Sequence, residues 1–214
     1  MIDWLAELVD PLNAVLFTLG GDQVSTAELL GFVTGGLCVA LTVRRSILNF
    51  PVGIANCVFF LVLFVSAQLW AGATLQLLYI GLGAVGWWQW RSGRTDDAPV
   101  PVRRSHGRVL VGCVVFVAVG TWALSEILTA VDGSAPLWDA LTTCLALTAQ
   151  WLLNTRRIET WFFWIAADCI YIPLYLSQGL NLTAAVYVLF LGLCILGLRE
   201  WTRARMPLAE SVSR

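Results

Sequence analysis

All 13 basic residues of this chain are arginines, and they fall in four clusters separated by long apolar blocks. Arg44 and Arg45 form the first; Arg91, Arg94, Arg103, Arg104 and Arg108 the second; Arg156 and Arg157 the third; Arg199, Arg203, Arg205 and Arg214 the last. A soluble domain averages about 25% charged residues, spread over its whole surface. Here 13% of residues are charged and 58% are hydrophobic, with a mean hydropathy of +0.77. Blocks of this length and apolarity cross a bilayer as helices, because a helix satisfies its own backbone groups in hydrocarbon.

Seven such spans are expected. The first covers about Leu29 to Val43 and follows Ser25-Thr26-Ala27-Glu28, a capping-box pattern that satisfies free amides at a helix start. The second opens at Asn49-Phe50-Pro51 and runs to about Ala67, and the third covers about Ala71 to Trp90. Val109 to Ala130, Trp138 to Asn154, a span running to about Tyr175, and Asn181 to Trp201 supply the other four. Asp132 to Pro136 turns the chain between the fourth and the fifth. Ahead of them, Met1 to Gly21 is too short to span, and the spacing of Trp4, Leu5, Leu8, Val9, Leu12, Val15 and Leu16 predicts an interfacial amphipathic helix.

With seven spans, the four arginine clusters all lie on one side of the membrane, whereas Asp3, Glu7, Asp10, Asp22, Glu28, Glu126, Asp132 and Asp139 lie on the other. The positive-inside tendency then predicts an external amino terminus and a cytoplasmic carboxyl terminus. Residues 91 to 108, with Asp96, Asp97, two prolines and five arginines, read as a flexible cytoplasmic loop.

The chain also repeats itself. Arg44-Arg45 matches Arg156-Arg157 at an offset of 112, which sets Asn56 against Asp168. Gly86 and Trp90 match Gly197 and Trp201 at 111, where Gln76 meets Tyr187. The fold class expected is therefore an all-α polytopic membrane protein, two parallel three-helix repeats joined by a linker helix, three plus one plus three. Its segments are residues 1–24, an amphipathic interfacial stretch; 25–91, the first repeat; 92–108, the basic loop; 109–131, the linker helix; 132–202, the second repeat; and 203–214, a cytoplasmic tail.

Function concentrates in the sixth span, ETWFFWIAADCIYIPLY, from Glu159 to Tyr175. At about 100° per residue, Trp161, Trp164, Asp168, Tyr171 and Tyr175 share an arc of about 80°. A carboxylate among aromatics two turns into a span costs about 2.5 to 3.5 kcal/mol if isolated, and marks a binding site by default. The alternative is structural: Trp161 and Trp164 anchor the helix end while Asp168 pairs with another helix. Gln76, Tyr79, Gly83 and Gly86 share a face of the third span, a second candidate cavity wall. Stacking on indole suits a flat, especially cationic, heteroaromatic ring, and ribose hydroxyls need acceptors such as Asp168 or Asn56.

Other features read as structural. The six cysteines lie inside apolar blocks without metal-type spacing and are packing residues. His106, the lone histidine, lies on the basic loop and has no partner for a metal site. Trp87, Trp88 and Trp90 sit at a span end as interfacial anchors. Glu159 reads as a local ion pair with Arg156 and Arg157, and Pro173 as either a hinge or a packing kink. No phosphate loop, histidine pair or activated nucleophile suggests an enzyme, a cofactor or nucleic-acid binding.

These segments resemble the PnuC-type vitamin transporter family. The resemblance runs through NFPVGIANCVFFLVLF, LQLLYIGLGAVGWWQW, RRIETWFFWIAADCIYIPLY and GLNLTAAVYVLFLGLCILGLREW, over residues 25 to 202. It implies a fold distantly similar to SWEET sugar transporters, a homotrimer in the cell membrane, and facilitated diffusion of nicotinamide riboside, which a cytoplasmic riboside kinase then traps by phosphorylation. Ligand contacts carry over to Trp161, Trp164 and Asp168, and more weakly to Asn56, Gln76, Tyr79 and Tyr171. Relatives that carry riboflavin or thiamine keep those ligands open, as does a non-transporting receptor or scaffold.

Overall fold

The computed structural model describes residues 11–12, 14–19, 22–66, 70–92, 100–130, 135–177 and 179–210. Residues 1–10, Asp96 and Asp97 of the basic loop, and Asp132 to Ser134 lie outside the described residues. Two short strands, β1 (Val15–Leu19) and β2 (Asp22–Ser25), precede seven long helices: α1 (Thr26–Val43), α2 (Asn49–Ser66), α3 (Trp70–Ser92), α4 (Gly107–Ala130), α5 (Pro136–Asn154), α6 (Thr160–Ser177) and α7 (Asn181–Glu210). Each expected span is a helix. Five of them, α1, α2, α4, α6 and α7 as far as Arg205, are long and apolar enough to cross a membrane.

From Val15 onward the strands replace the expected amino-terminal helix, whereas Pro11 and Leu12 ahead of them are helical. Val15 lies opposite Ser25, Phe17 opposite Val24 and Leu19 opposite Asp22 in an antiparallel pair. Valine, phenylalanine and threonine favour an extended backbone, and Gly20-Gly21 between the two runs is hairpin-turn composition. Val15 and Leu16 fitted a helical spacing only because so short a stretch does not separate the two periods.

The chain forms two compact units. One contains residues 1–100 and 180–186, the other residues 101–179 and 187–214. In the first, α2 packs on both α1 and α3. Helix α1 starts with the expected capping box: Glu28 N–H donates to Ser25 Oγ at 3.2 Å, and Ser25 N–H donates to Glu28 Oε2 at 2.9 Å. Such a cap is worth about 0.5–2 kcal/mol. Gly31 admits the Phe60 ring, since a Cβ there would lie 2.3 Å from Phe60 Cζ. Phe50 and Trp90, both buried, meet edge to face with ring centroids 5.1 Å apart.

In the second unit α5 packs between α4 and α6. It is the most enclosed helix, burying Ala140, Cys144, Ala149 and Leu152. Protein therefore surrounds much of it, which explains why its polar content exceeds that of a lipid-facing span. Thr142 and Thr148 donate to carbonyls one turn back, Trp138 O and Cys144 O, so their hydroxyls are satisfied locally. Thr160 Oγ donates to Ala149 O at 2.8 Å and ties the start of α6 to α5.

The turns that end α1 and α5 share one design. Arg45 and Arg156 both adopt left-handed conformations, φ 55° and 59°. Arg45 N–H donates to Thr42 O and Ser46 N–H to Leu41 O; Arg156 N–H donates to Leu153 O and Arg157 N–H to Leu152 O. Both are Schellman closures, which satisfy the last helical carbonyls and usually employ glycine. Because these turns match at an offset of 111, the 112 register is one residue out of step. At 111, Asn56 corresponds to Ala167, and Asp168 to Cys57.

The basic loop is built rather than free where it is described. Arg103 N–H donates to Arg156 O and Ile158 N–H to Arg103 O, each at 3.0 Å, an isolated parallel bridge beside the α5–α6 turn. Glu159 does not form the expected ion pair among the described residues: its Oε2 accepts from Ser105 N–H at 3.0 Å and Oγ–H at 2.8 Å. Composition alone signals polarity there, and the pairing depends on a segment about 50 residues away.

Candidate functional site

The predicted face of α6 exists, and it is met by α7. Three contacts recur at seven-residue intervals along the two helices. Trp161 meets Trp201 edge to face, with centroids 5.4 Å apart; Asp168 meets Cys194, whose thiol hydrogen-bonds to the carboxyl group; Tyr175 meets Tyr187, with centroids 5.1 Å apart. A heptad interval returns a helix nearly to the same face, so residues 161, 168 and 175 contact 201, 194 and 187 in antiparallel order.

Asp168 is the chemical centre of this seam. It is the ninth residue of an 18-residue helix, only 4% exposed, and its Oδ2 has no hydrogen-bond partner among the described residues. A buried acceptor left unpaired costs about 1–3 kcal/mol, more when charged. Such a group persists in a native structure when something else, a ligand or a water, uses it.

One turn further on, Tyr171, Tyr175 and Tyr187 gather. Tyr171 and Tyr175 stack at 5.6 Å with planes 16° apart, and Tyr171 and Tyr187 lie 4.9 Å apart. Phe190 extends the cluster beyond Tyr187, and the Tyr171 hydroxyl hydrogen-bonds to Thr142 on α5. Aromatic faces and hydroxyls thus adjoin the carboxylate, a combination suited to a flat ring that also carries hydroxyls.

Trp161 and Trp164 differ. Trp161 is 1% exposed, with its ring against Gly197, where an added Cβ would lie 2.4 Å from Cη2 and Cζ2. Its indole Nε1–H is buried and has no hydrogen-bond acceptor among the described residues. Trp161 is therefore a packing residue that also carries an unused donor. Trp164 is half-buried and leaves part of its ring open.

Asn56, Gln76 and Tyr79 belong to the first unit. Asn56 Nδ2 donates to Thr34 Oγ1 at 2.6 Å and Gly31 O at 3.2 Å on α1, so its amide protons serve helix packing and its carbonyl is the acceptor left over. Gln76 and Tyr79, one turn apart on α3, are both half-buried. Cys194 and Tyr187 were not foreseen as site residues. Their own seven-residue spacing, matching that of Asp168 and Tyr175, is the signal that pairs them.

The family described as nicotinamide mononucleotide transporter matches residues 25–203. The chain is 28% identical to the riboflavin/roseoflavin transporter RibM of Streptomyces davaonensis over 196 residues, 89% of this chain and 91% of that protein. It is 24% identical to the nicotinamide riboside transporter PnuC of Escherichia coli over 211 residues, 85% of this chain and 87% of the relative. A crystal structure of the vitamin B3 transporter PnuC is similar with a TM-score of 0.68 and 27% identity, covering 85% of this chain and 82% of that one.

Proposed function

The chain belongs to the nicotinamide mononucleotide transporter family, and from that membership we propose that it carries nicotinamide riboside across the cell membrane by facilitated diffusion. The observation that carries the ligand reading is Asp168: a carboxyl group at mid-helix, held on one side by Cys194, unpaired at Oδ2, and followed by a tyrosine cluster. The carboxylate accepts ribose hydroxyls and balances a pyridinium charge, while aromatic faces stack on the ring.

Trp164, Asp168 and Tyr171, with Trp161 behind them, form one contact set in this reading, and Asn56, Gln76 and Tyr79 form another contributed by the first three helices. Matched closures at Arg45 and Arg156, with matched ring pairs at Phe50–Trp90 and Trp161–Trp201, support two three-helix repeats joined by α4. The arginine clusters support a cytoplasmic carboxyl terminus and an external amino terminus. A homotrimer, and a cytoplasmic kinase that traps the riboside as its phosphate, complete the reading. Riboflavin is the second ligand, favoured by the similarity to RibM.

The test is a binding titration of the purified protein against nicotinamide riboside, riboflavin, thiamine and their phosphates, followed by uptake into proteoliposomes. Saturable binding of unphosphorylated nicotinamide riboside with saturable flux is expected. Preference for riboflavin shifts the ligand within the same mechanism. Unsaturable flux indicates a channel, and binding without flux a receptor; either overturns the proposal.

A further inference from the structure

At the α5–α6 turn the backbone sets Arg103, exposed, beside Arg156, half-buried. Arg103 is fixed by three hydrogen bonds: its N–H to Arg156 O, its carbonyl from Ile158 N–H, and its Nε–H to Thr155 O at 2.9 Å. Arg156 occupies a left-handed conformation, φ 59°, that favours glycine over a long side chain. Burial, and then the nearby Arg103 guanidinium, push Arg156 below the usual guanidinium range. The Glu159 carboxylate of this turn is engaged by Ser105, its Oε2 accepting both the amide and the hydroxyl.

A turn that joins the ends of two helices of a membrane bundle falls where a bilayer presents its headgroups. On the last turn of α5, Trp151 is 43% exposed. The Arg157 guanidinium lies over that indole, 5.8 Å from the centroid. An exposed tryptophan with an arginine above it is the pattern of a membrane interface. Two guanidinium groups set side by side attract an anion, and their paired N–H donors match phosphate oxygens.

We propose that Arg103 and Arg156 form a seat for a phosphate group, supplied by an anionic phospholipid of the arginine-rich leaflet. The site is separate from the vitamin-binding face and does not depend on which vitamin is carried. The phosphate oxygens accept from the guanidinium N–H groups, the negative charge offsets the repulsion between the two arginines, and the bound headgroup braces the turn that leads into α6. Free phosphate offers the same oxygens, so the test distinguishes the two sources.

The experiment measures the thermal midpoint of the full chain in phosphatidylcholine nanodiscs with and without phosphatidylglycerol, and in neutral detergent with and without inorganic phosphate. Two variants are compared with the parent: Arg103→Gln/Arg156→Gln, and Arg103→Gln/Arg156→Gly, whose glycine suits the backbone and protects against simple misfolding. Arg199→Gln/Arg203→Gln is the control for general attraction between arginines and an anionic surface. A rise of several degrees with phosphatidylglycerol is expected in the parent and the control, and its loss in both variants. A rise with inorganic phosphate alone, lost in both variants, keeps the seat and assigns it to a soluble phosphate. Persistence in the variants, equal loss in the control, or no rise in the parent with either probe overturns the proposal.

Discussion

Trp161 and Trp201 meet at 88° with ring centroids 5.4 Å apart, and Phe50 and Trp90 meet at 82° and 5.1 Å. The second pair precedes the first by 111 residues, and in it phenylalanine takes the place of Trp161. The edge-to-face contact therefore does not require an indole at that position. What Trp161 adds is the Nε1–H, which has no acceptor among the described residues.

Replacing Trp161 by phenylalanine isolates that donor. Trp161→Phe should retain thermal stability, because it removes a buried unpaired group worth about 1–3 kcal/mol while keeping a ring against Trp201. If the N–H reaches the ligand or a water beside it, affinity falls at unchanged stability. A large drop in melting temperature together with normal affinity assigns Trp161 to packing alone.

Asp168→Ala should lower ligand affinity by roughly 1.5–3 kcal/mol, the worth of a hydrogen bond to a charged group, without impairing expression. Trp164→Ala should lower it by about 0.5–1.5 kcal/mol through the lost aromatic face. Calorimetric titration beside thermal melting checks both. Normal binding with early unfolding in both variants moves the binding face away from α6, toward Gln76 and Tyr79.

Gly197→Leu should damage folding rather than binding. A Cβ at Gly197 would lie 2.4 Å from the Trp161 ring, and overpacking typically costs 1–3 kcal/mol. The readout is the yield of monodisperse protein and its melting temperature. A melting temperature equal to that of the parent would mean that the ring moves aside freely.

Arg45→Gly should stabilise the first unit. A left-handed conformation costs a non-glycine residue about 1–2 kcal/mol, partly offset by about 0.5–1 kcal/mol for the extra freedom of an unfolded glycine, leaving a net gain of up to about 1.5 kcal/mol. Arg45→Ala, which removes the same charge but keeps a Cβ, should show no such gain. Equal melting temperatures for the two variants would sink the strain argument.

Transport should need no sodium, proton gradient or nucleotide, since Asp168 is the carboxylate evident deep in a span and no nucleotide-phosphate motif is present. Free ligand should equilibrate across kinase-free vesicles. Accumulation of unmodified ligand under an imposed ion gradient would refute this.

The helices were legible in the sequence because a bilayer leaves few options: an apolar stretch of spanning length must satisfy its own backbone. The Ser25–Glu28 cap was legible because it is local, made by residues three apart. The aromatic and acidic face of α6 followed from helical geometry alone. Tertiary structure decided everything that depends on residues far apart in sequence. It brought Cys194 to Asp168 and Tyr187 to Tyr175, which helical spacing does not reveal until α7 is known to run beside α6. It showed the Arg45 and Arg156 closures to match at 111, where matching arginine pairs by identity gave 112, because the repeated feature is the left-handed turn rather than the residue type. It closed Trp161 into the core against Gly197, a matter of shape. It also docked Arg103 and Ser105 on a distant turn, since backbone pairing and a carboxylate two helices away leave no trace in local composition.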